Sequence, residues 1–124
     1  MIKALDLCAE MADWGSPLPE GTARAIALEE RGAEGDGLAT ISAMVHTVSI
    51  SKDGVLKLER VDVAHETGFG LVNPLSVKKQ IEGQIGWFYN DAMHQAIHIQ
   101  DGHIIENNFD YWMKMAARPL LRCA

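Results

Sequence analysis

The sequence predicts an α+β fold in which a mainly antiparallel sheet, built from hairpins, carries one long helix packed on one face. Two Asp-Gly pairs, at Asp53 and Asp101, are typical hairpin turns between apolar segments. Between these turns, an apolar repeat with helical spacing runs from Pro74 to about Ala96. With 124 residues, 48% of them hydrophobic, we expect a single domain over 1–124.

The N-terminal half predicts a short helix followed by strands. Apolar residues at helical spacing indicate a helix over 2–13, and the Gly- and Pro-rich segment 15–21 indicates a loop. Residues 23–29 fit a helix by propensity and a strand equally well, because a glycine-rich loop follows them. The Thr-, Ile- and Val-rich segment 38–51 predicts a strand, and 55–64 supplies its hairpin partner.

The apolar residues of segment 55–64 alternate irregularly. Its first leucines share one strand face, whereas the valines that follow share the other. One extra residue in this strand would bring the leucines and the valines onto the same sheet face. We therefore expect a β-bulge near Glu59 and Arg60.

The long helix has clear start signals. Asn73 is a good N-cap, and Pro74 suits the first helical position because its missing N–H has no intrahelical partner there. The helix is expected to end near Ala96, and residues 97–106 predict a second hairpin that turns at Asp101-Gly102. The apolar stripe of the helix is predicted to contain Val77, Ile81, Ile85, Phe88 and Ala92.

Charge and composition argue against several classes of protein. The net charge is −6 and only Lys78 and Lys79 are adjacent basic residues, which argues against nucleic-acid binding. No apolar run approaches the ~20 residues of a membrane span. The first residues lack the pattern of a signal peptide, and Cys8 and Cys123 fit free thiols better than a disulfide. We therefore expect a cytoplasmic protein.

Glycines precede and enter the predicted helix, as in many phosphate-binding loops. Their spacing fails those templates, because Gly68 and Gly70 lack a third glycine three residues later and no Gly-Lys-Ser/Thr follows. The helix N-terminus at Asn73 remains a possible anion site. The alternative is structural: the first two glycines shape the corner before the helix, while Gly83 and Gly86 let the helix approach the sheet.

Acid–base and metal chemistry have weak support in the sequence. His94 and His98 would share one face of a continuous helix, and His103 could complete a cluster of three metal ligands. Surface or partly buried histidines are the alternative. His65 and Glu66 could act as an acid–base pair, but adjacent strand residues point to opposite faces and no nucleophile is evident nearby. We assign no catalytic residue.

Aromatic and methionine residues gather near the end of the helix and in the C-terminal segment. Interface cores are enriched in these residue types, although an ordinary buried core would explain them as well. We expect a homo-oligomer, with a two-fold dimer as the simplest symmetry. Its predicted interface contains Trp87, Phe88, Tyr89, Met93, Trp112 and Met113.

Several motifs, taken in order, carry a resemblance to a known family. They are Trp14-Gly15-x-Pro17-Leu18-Pro19-x-Gly21, the hairpin through Asp53-Gly54, Val72-Asn73-Pro74, Gln80-Ile81-Glu82-Gly83, and Asp101-Gly102 leading to Asn108-Phe109-Asp110-Tyr111. The chain resembles part of the molybdenum-binding large subunit of xanthine dehydrogenase-type hydroxylases. The nearest branch contains the isoquinoline oxidoreductase and molybdopterin-dependent aldehyde dehydrogenase subunits.

The resemblance implies a shared fold unit and a cofactor-binding role for Gly68, Asn73, Gln80 and Gly83. The family's catalytic glutamate motif and upstream pterin loops have no counterpart in this sequence, and bulky residues replace its small ones after Gly83. We therefore expect a non-catalytic binding or assembly module, with molybdopterin only in a larger assembly. The alternatives are one component of a split molybdopterin-dependent oxidoreductase with complementary subunits, or a small ligand-binding protein or enzyme with a pocket near Asn73.

Overall fold

The computed structural model describes residues 2–32, 40–68, 70–106 and 121–123. The described residues form α1 (Ile2–Met11), β1 (Thr22–Arg31), β2 (Thr40–Ile50), β3 (Leu56–Glu66), α2 (Pro74–His94), β4 (Ile99–Gln100), β5 (His103–Ile104) and β6 (Leu121–Cys123). The predicted α+β class is therefore confirmed. The chain groups into two compact units, the first with α1, β1–β3 and β6 and the second with α2, β4 and β5. The assignment of a single domain stays a prediction.

The first unit contains a four-stranded sheet in the order β1-β2-β3-β6. Strands β1, β2 and β3 pair antiparallel, whereas β6 runs parallel to β3. The segment 23–29, which fitted helix and strand equally, lies within β1 because its neighbour β2 pairs with it along its whole length. The β2–β3 hairpin turns at Asp53-Gly54 as predicted, with Gly54 at φ +79°.

The predicted bulge in β3 is confirmed and centres on Glu59. Leu58 lies opposite Val48, whereas Arg60 lies opposite Thr47, so Glu59 has no partner of its own in β2. The bulge residue is held by its side chain, because Glu59 Oε1 accepts a hydrogen bond from Ser49 Oγ at 2.7 Å. After Glu59, every side chain of β3 therefore lies on the opposite sheet face from the one it would have in a register without the bulge.

Helix α1 packs on the sheet through small side chains. Two buried residues of the helix, Ala4 and Cys8, and the buried Ala12 just after its end follow one another at spacings of four. They contact Ala43 and Val45 of β2 and Ala64 of β3. Small residues on both surfaces let the helix lie close to the strands. The sequence assigned the sheet-covering role to the long helix, but in the first unit α1 has it.

The second unit contains α2 and the β4–β5 hairpin. Asn73 is the N-cap as predicted, with its Oδ1 accepting the Ser76 N–H at 3.1 Å. The helix ends at His94, two residues before the predicted end. Asp101 and Gly102 both have positive φ, as a tight hairpin turn requires, but each hairpin strand has only two residues. Neither helix in the described part of the chain is long and apolar enough to cross a membrane.

The buried side of α2 departs from the predicted stripe in its second half. Ile85 is buried, but Phe88 is 66% exposed and Ala92 is exposed. Tyr89 and Met93 are half-buried in their place. Each residue advances about 100° around a helix, so each step of four turns a stripe forward by about 40°, whereas a step of three turns it back by about 60°. The first half of the helix uses steps of four, and the buried side continues with them.

Gly21 permits a close contact between the start of β1 and the end of β2. Its φ is +76°, and a Cβ added there would lie 2.9 Å from the carbonyl oxygen of Ile50. The Ile50 N–H also donates to the Gly21 carbonyl oxygen at 2.7 Å. The backbones therefore meet where no side chain fits.

We expect Gly21→Ala to lower the free energy of unfolding by about 1–3 kcal/mol, because it combines a left-handed φ with a backbone clash. Urea denaturation followed by circular dichroism measures this loss. Gly15→Ala is the matched control, since Gly15 has φ +93° but open space around the added Cβ. Equal losses in the two variants would contradict a role for the close contact.

Candidate functional site

A row of polar side chains crosses three strands on one face of the sheet. Glu29 of β1 lies opposite Ser42 of β2, and Ser42 lies opposite His65 of β3. Ser42 Oγ and His65 Nδ1 are 2.7 Å apart, and both residues are half-buried. Ser42 is 23 residues away from His65 along the chain, so the sequence around His65 does not reveal this neighbour. The bulge creates the pair, since an unbulged register would place Ala64 opposite Ser42.

The chemistry available to Ser42 and His65 is limited. When Ser42 donates to Nδ1, the neutral imidazole holds its proton on Nε2 and the serine oxygen gains nucleophilic character. A serine hydrolase also needs an acid that orients the base. Glu29 lies beside Ser42 in the row rather than beside His65. Glu66 pairs with Ile41 and so points to the opposite face, as strand alternation predicted.

His46 lies on the same sheet face as His65, two rows further along β2. Its partner in β3 is Val61, which is fully buried. Burial lowers the pKa of His46, so its imidazole is neutral near pH 7. This histidine therefore adds a neutral, half-buried side chain to the face rather than a charge.

The opposite face holds a buried ion pair that the sequence analysis missed. Asp62 is fully buried, and its Oδ1 accepts hydrogen bonds from Arg60 Nε at 2.9 Å and from Nη2 at 2.5 Å. Arg60 Nη2 also donates to the carbonyl oxygen of Met11, the last residue of α1. The last carbonyls of a helix lack intrahelical donors, so Arg60 caps α1 as well. An Arg-x-Asp spacing places both side chains on one strand face and could have indicated the pair.

Cys8 lies in the contact between α1 and the sheet, next to this ion pair. Its thiol donates to the backbone carbonyl of Asp62 at 3.3 Å, and burial raises the pKa of the thiol. A protonated, buried thiol is neither nucleophilic nor a ready metal ligand. Cys8 is a free thiol, as predicted. The side chain of Cys123 lies outside the described residues.

The residues assigned to a cofactor by resemblance have other places in the structure. Asn73 uses its side chain to cap α2. Gln80 and Gly83 are both exposed. At a rise of 1.5 Å per residue, they lie about 10 and 15 Å from Asn73 along the helix axis. A Cβ added at Gly83 would meet nothing within 4 Å. Gly68, in the first unit, has φ +73° and turns the chain after β3. The cofactor role stays a prediction.

The three candidate metal-ligating histidines have separate surroundings. His98 Nδ1 lies 2.5 Å from Glu106 Oε1, and the His98 N–H donates to Oε2 at 2.8 Å. These hydrogen bonds lower the pKa of Glu106. The His94 ring contacts Tyr89 edge-on, and His103 lies in β5. Within the described ranges, no three His, Cys, Asp or Glu side chains are grouped closely enough to hold a metal ion, so the three-histidine cluster does not form.

Both elements of the second unit expose large apolar side chains. Of the predicted interface residues on α2, Trp87 and Phe88 are 61% and 66% exposed, whereas Tyr89 and Met93 are half-buried. The hairpin segment adds four isoleucines with 45–72% exposure: Ile97, Ile99, Ile104 and Ile105. The predicted interface residues Trp112 and Met113 lie outside the described residues.

Comparisons with known proteins assign no family to the chain. No family model matches the sequence, and no curated protein matches it either. The resemblance to molybdenum hydroxylase subunits therefore stays a prediction, supported by the motifs alone.

We expect Arg60→Met to lower the free energy of unfolding by about 3–5 kcal/mol, because it leaves the Asp62 carboxylate buried and unpaired. Denaturant unfolding at pH 7 measures the change. Lys57→Met is the matched control, since it removes the same kind of contact, to Glu59, from an exposed position. Exposed pairs contribute little, so this control should remain close to the parent protein. A small effect in both variants would contradict the structural role of Arg60.

Proposed function

We propose that the chain is a non-catalytic binding or assembly module that forms homo-oligomers through the second unit. The observation that carries this proposal is Phe88, which is 66% exposed on the 21-residue helix α2. Large apolar side chains that remain exposed are a feature of protein-binding surfaces, and aromatic residues are enriched in such surfaces.

Burial of these exposed side chains would contribute to association. Full burial of one Phe or Ile side chain contributes about 1.5–3 kcal/mol. A two-fold contact uses each side chain twice, once from each copy. Phe88 with the exposed isoleucines of the hairpin segment would therefore offset a substantial part of the entropy lost on association.

The non-catalytic part of the proposal is supported by the surroundings of the reactive side chains. Ser42 and His65 form a contact in which no acid of the described residues hydrogen-bonds to His65, and the Cys8 thiol is buried with a raised pKa. Asn73, Gln80 and Gly83 are spread over more than two turns of α2 rather than gathered around one group. They do not form a cradle for a pterin, so we assign no step through molybdopterin to this chain.

We propose a role in a split molybdenum hydroxylase as the second candidate. The motif residues behind the resemblance have structural roles here: Gly21 permits a backbone contact, Asn73 caps α2, and Asp101-Gly102 makes a turn. These roles are what a conserved fold unit would need inside a larger enzyme. Complementary subunits would then supply the cofactor, and the apolar surface of the second unit would contact them.

We expect Phe88→Glu to lower the mean solution mass of the oligomer by about twofold, because it places a charge in the proposed contact. Light scattering over a concentration series measures the mass, and circular dichroism verifies folding. Leu75→Glu is the matched control, since Leu75 is equally exposed, at 66%, but lies in the first turn of α2. A monomeric parent protein, or equal masses for the two variants, would contradict the homo-oligomer.

A further inference from the structure

We propose that the free edge of β1 pairs with β1 of a second copy of the chain and so continues the sheet across a two-fold axis. β1 is the end strand of the sheet, and among the described strands only β2 pairs with it. Unpaired strand edges bind other strands through their backbone groups. This contact uses the first unit alone and is independent of the surface around Phe88.

The ladder between β1 and β2 determines which backbone groups face the free edge. The Ile50 N–H donates to the Gly21 carbonyl, and the register continues without a shift along β1. In an antiparallel ladder, residues bonded to the partner alternate with residues whose groups face away. The Thr22 N–H accordingly bonds Pro19 rather than β2. Both backbone groups therefore face outward at Arg24, Ile26, Leu28 and Glu30.

A two-fold axis perpendicular to the sheet limits the registers that this edge can adopt. Such an axis places the same face of the sheet on the same side in both copies. Each residue whose backbone groups face the free edge must then oppose another such residue in the second copy. With Ala27 on the axis, Arg24 opposes Glu30 of the second copy and Ile26 opposes Leu28. All four outward positions are then paired. Placing Ile26 or Leu28 on the axis instead sets charged side chains against apolar ones.

The side chains are complementary in the register centred on Ala27. Each Arg24 meets a Glu30, while on the other sheet face Glu29 and Arg31 each oppose an alanine. No two like charges face each other, and cross-strand pairs of opposite charge or of apolar residues stabilise sheets. Leu28, 39% exposed in one copy, gains an apolar neighbour.

Arg24 is ordered before association. Its Nη1 donates to the Asp13 carbonyl at 2.6 Å and to Ser16 Oγ at 2.8 Å. Its Nε is buried and has no hydrogen-bond partner within the described part of the chain. Because the guanidinium is already fixed, pairing with Glu30 of the second copy loses less side-chain entropy. The edge therefore presents a preorganised charge opposite a matching one.

Leu28→Pro, made in the Phe88→Glu background, tests the edge by itself. The Leu28 N–H faces outward, so proline leaves the β1–β2 ladder intact but removes one edge donor from each copy. We expect dimerisation, measured by sedimentation, to weaken at least about tenfold. Leu28→Ala keeps the N–H and should weaken dimerisation less. A Phe88→Glu protein that is monomeric at all concentrations, or a dimer unchanged by Leu28→Pro, would overturn the proposal.

Charge reversal provides a second test that does not depend on proline. Glu30→Arg sets one arginine opposite each Arg24 across the axis and should weaken dimerisation about threefold to tenfold. Glu29→Arg makes the same change in net charge, but residue 29 opposes Ala25 of the second copy. This variant should therefore have little effect on dimerisation. Amide exchange locates the contact: protection at Ile26 and Leu28 should rise with concentration, whereas that at Ala25 and Ala27 should not. Equal effects of both reversals, or concentration-independent protection, would overturn the proposal.

Discussion

One extra residue in β3 determines which side chains of that strand meet α1. Glu59 has no partner in β2, so the residues after it change face relative to the unbulged register. Arg60, Asp62 and Ala64 thereby lie on the side that α1 covers, and Val61 lies on the other. Without the bulge, valines would occupy the helix side and the carboxylate of Asp62 would leave it. The packing of the first unit depends on this single insertion.

The same insertion explains the two polar arrangements of the sheet. On the helix side, Arg60 connects the buried Asp62 to the last carbonyl of α1, so that one guanidinium fixes the helix and neutralises the carboxylate. On the other side, it brings His65 opposite Ser42. These contacts give Ser42, His65, Arg60 and Asp62 places within the packed sheet, and the proposed function rests on exposed apolar side chains instead.

Features fixed by local chemistry could be predicted from the sequence. The Asp-Gly turns, the Asn73 cap and the bulge each depend on a few neighbouring residues, and each was located correctly. Features fixed by distant residues could not. The Ser42–His65 contact depends on register, and the Arg60–Met11 contact joins residues 49 positions apart. The predicted stripe of α2 is wrong at Phe88 because hydrophobicity alone does not distinguish a buried side chain from an exposed one.

Cross-strand backbone NOEs between β2 and β3, measured in isotope-labelled protein, test the register most directly. We expect NOEs that place Ser42 opposite His65 and Val45 opposite Asp62, with Val48 opposite Leu58 on the other side of the bulge. An uninterrupted register from Val48 onward, with Ser42 opposite Ala64, would contradict it. That result would remove Asp62 from the helix side and with it the explanation for the packing of α1.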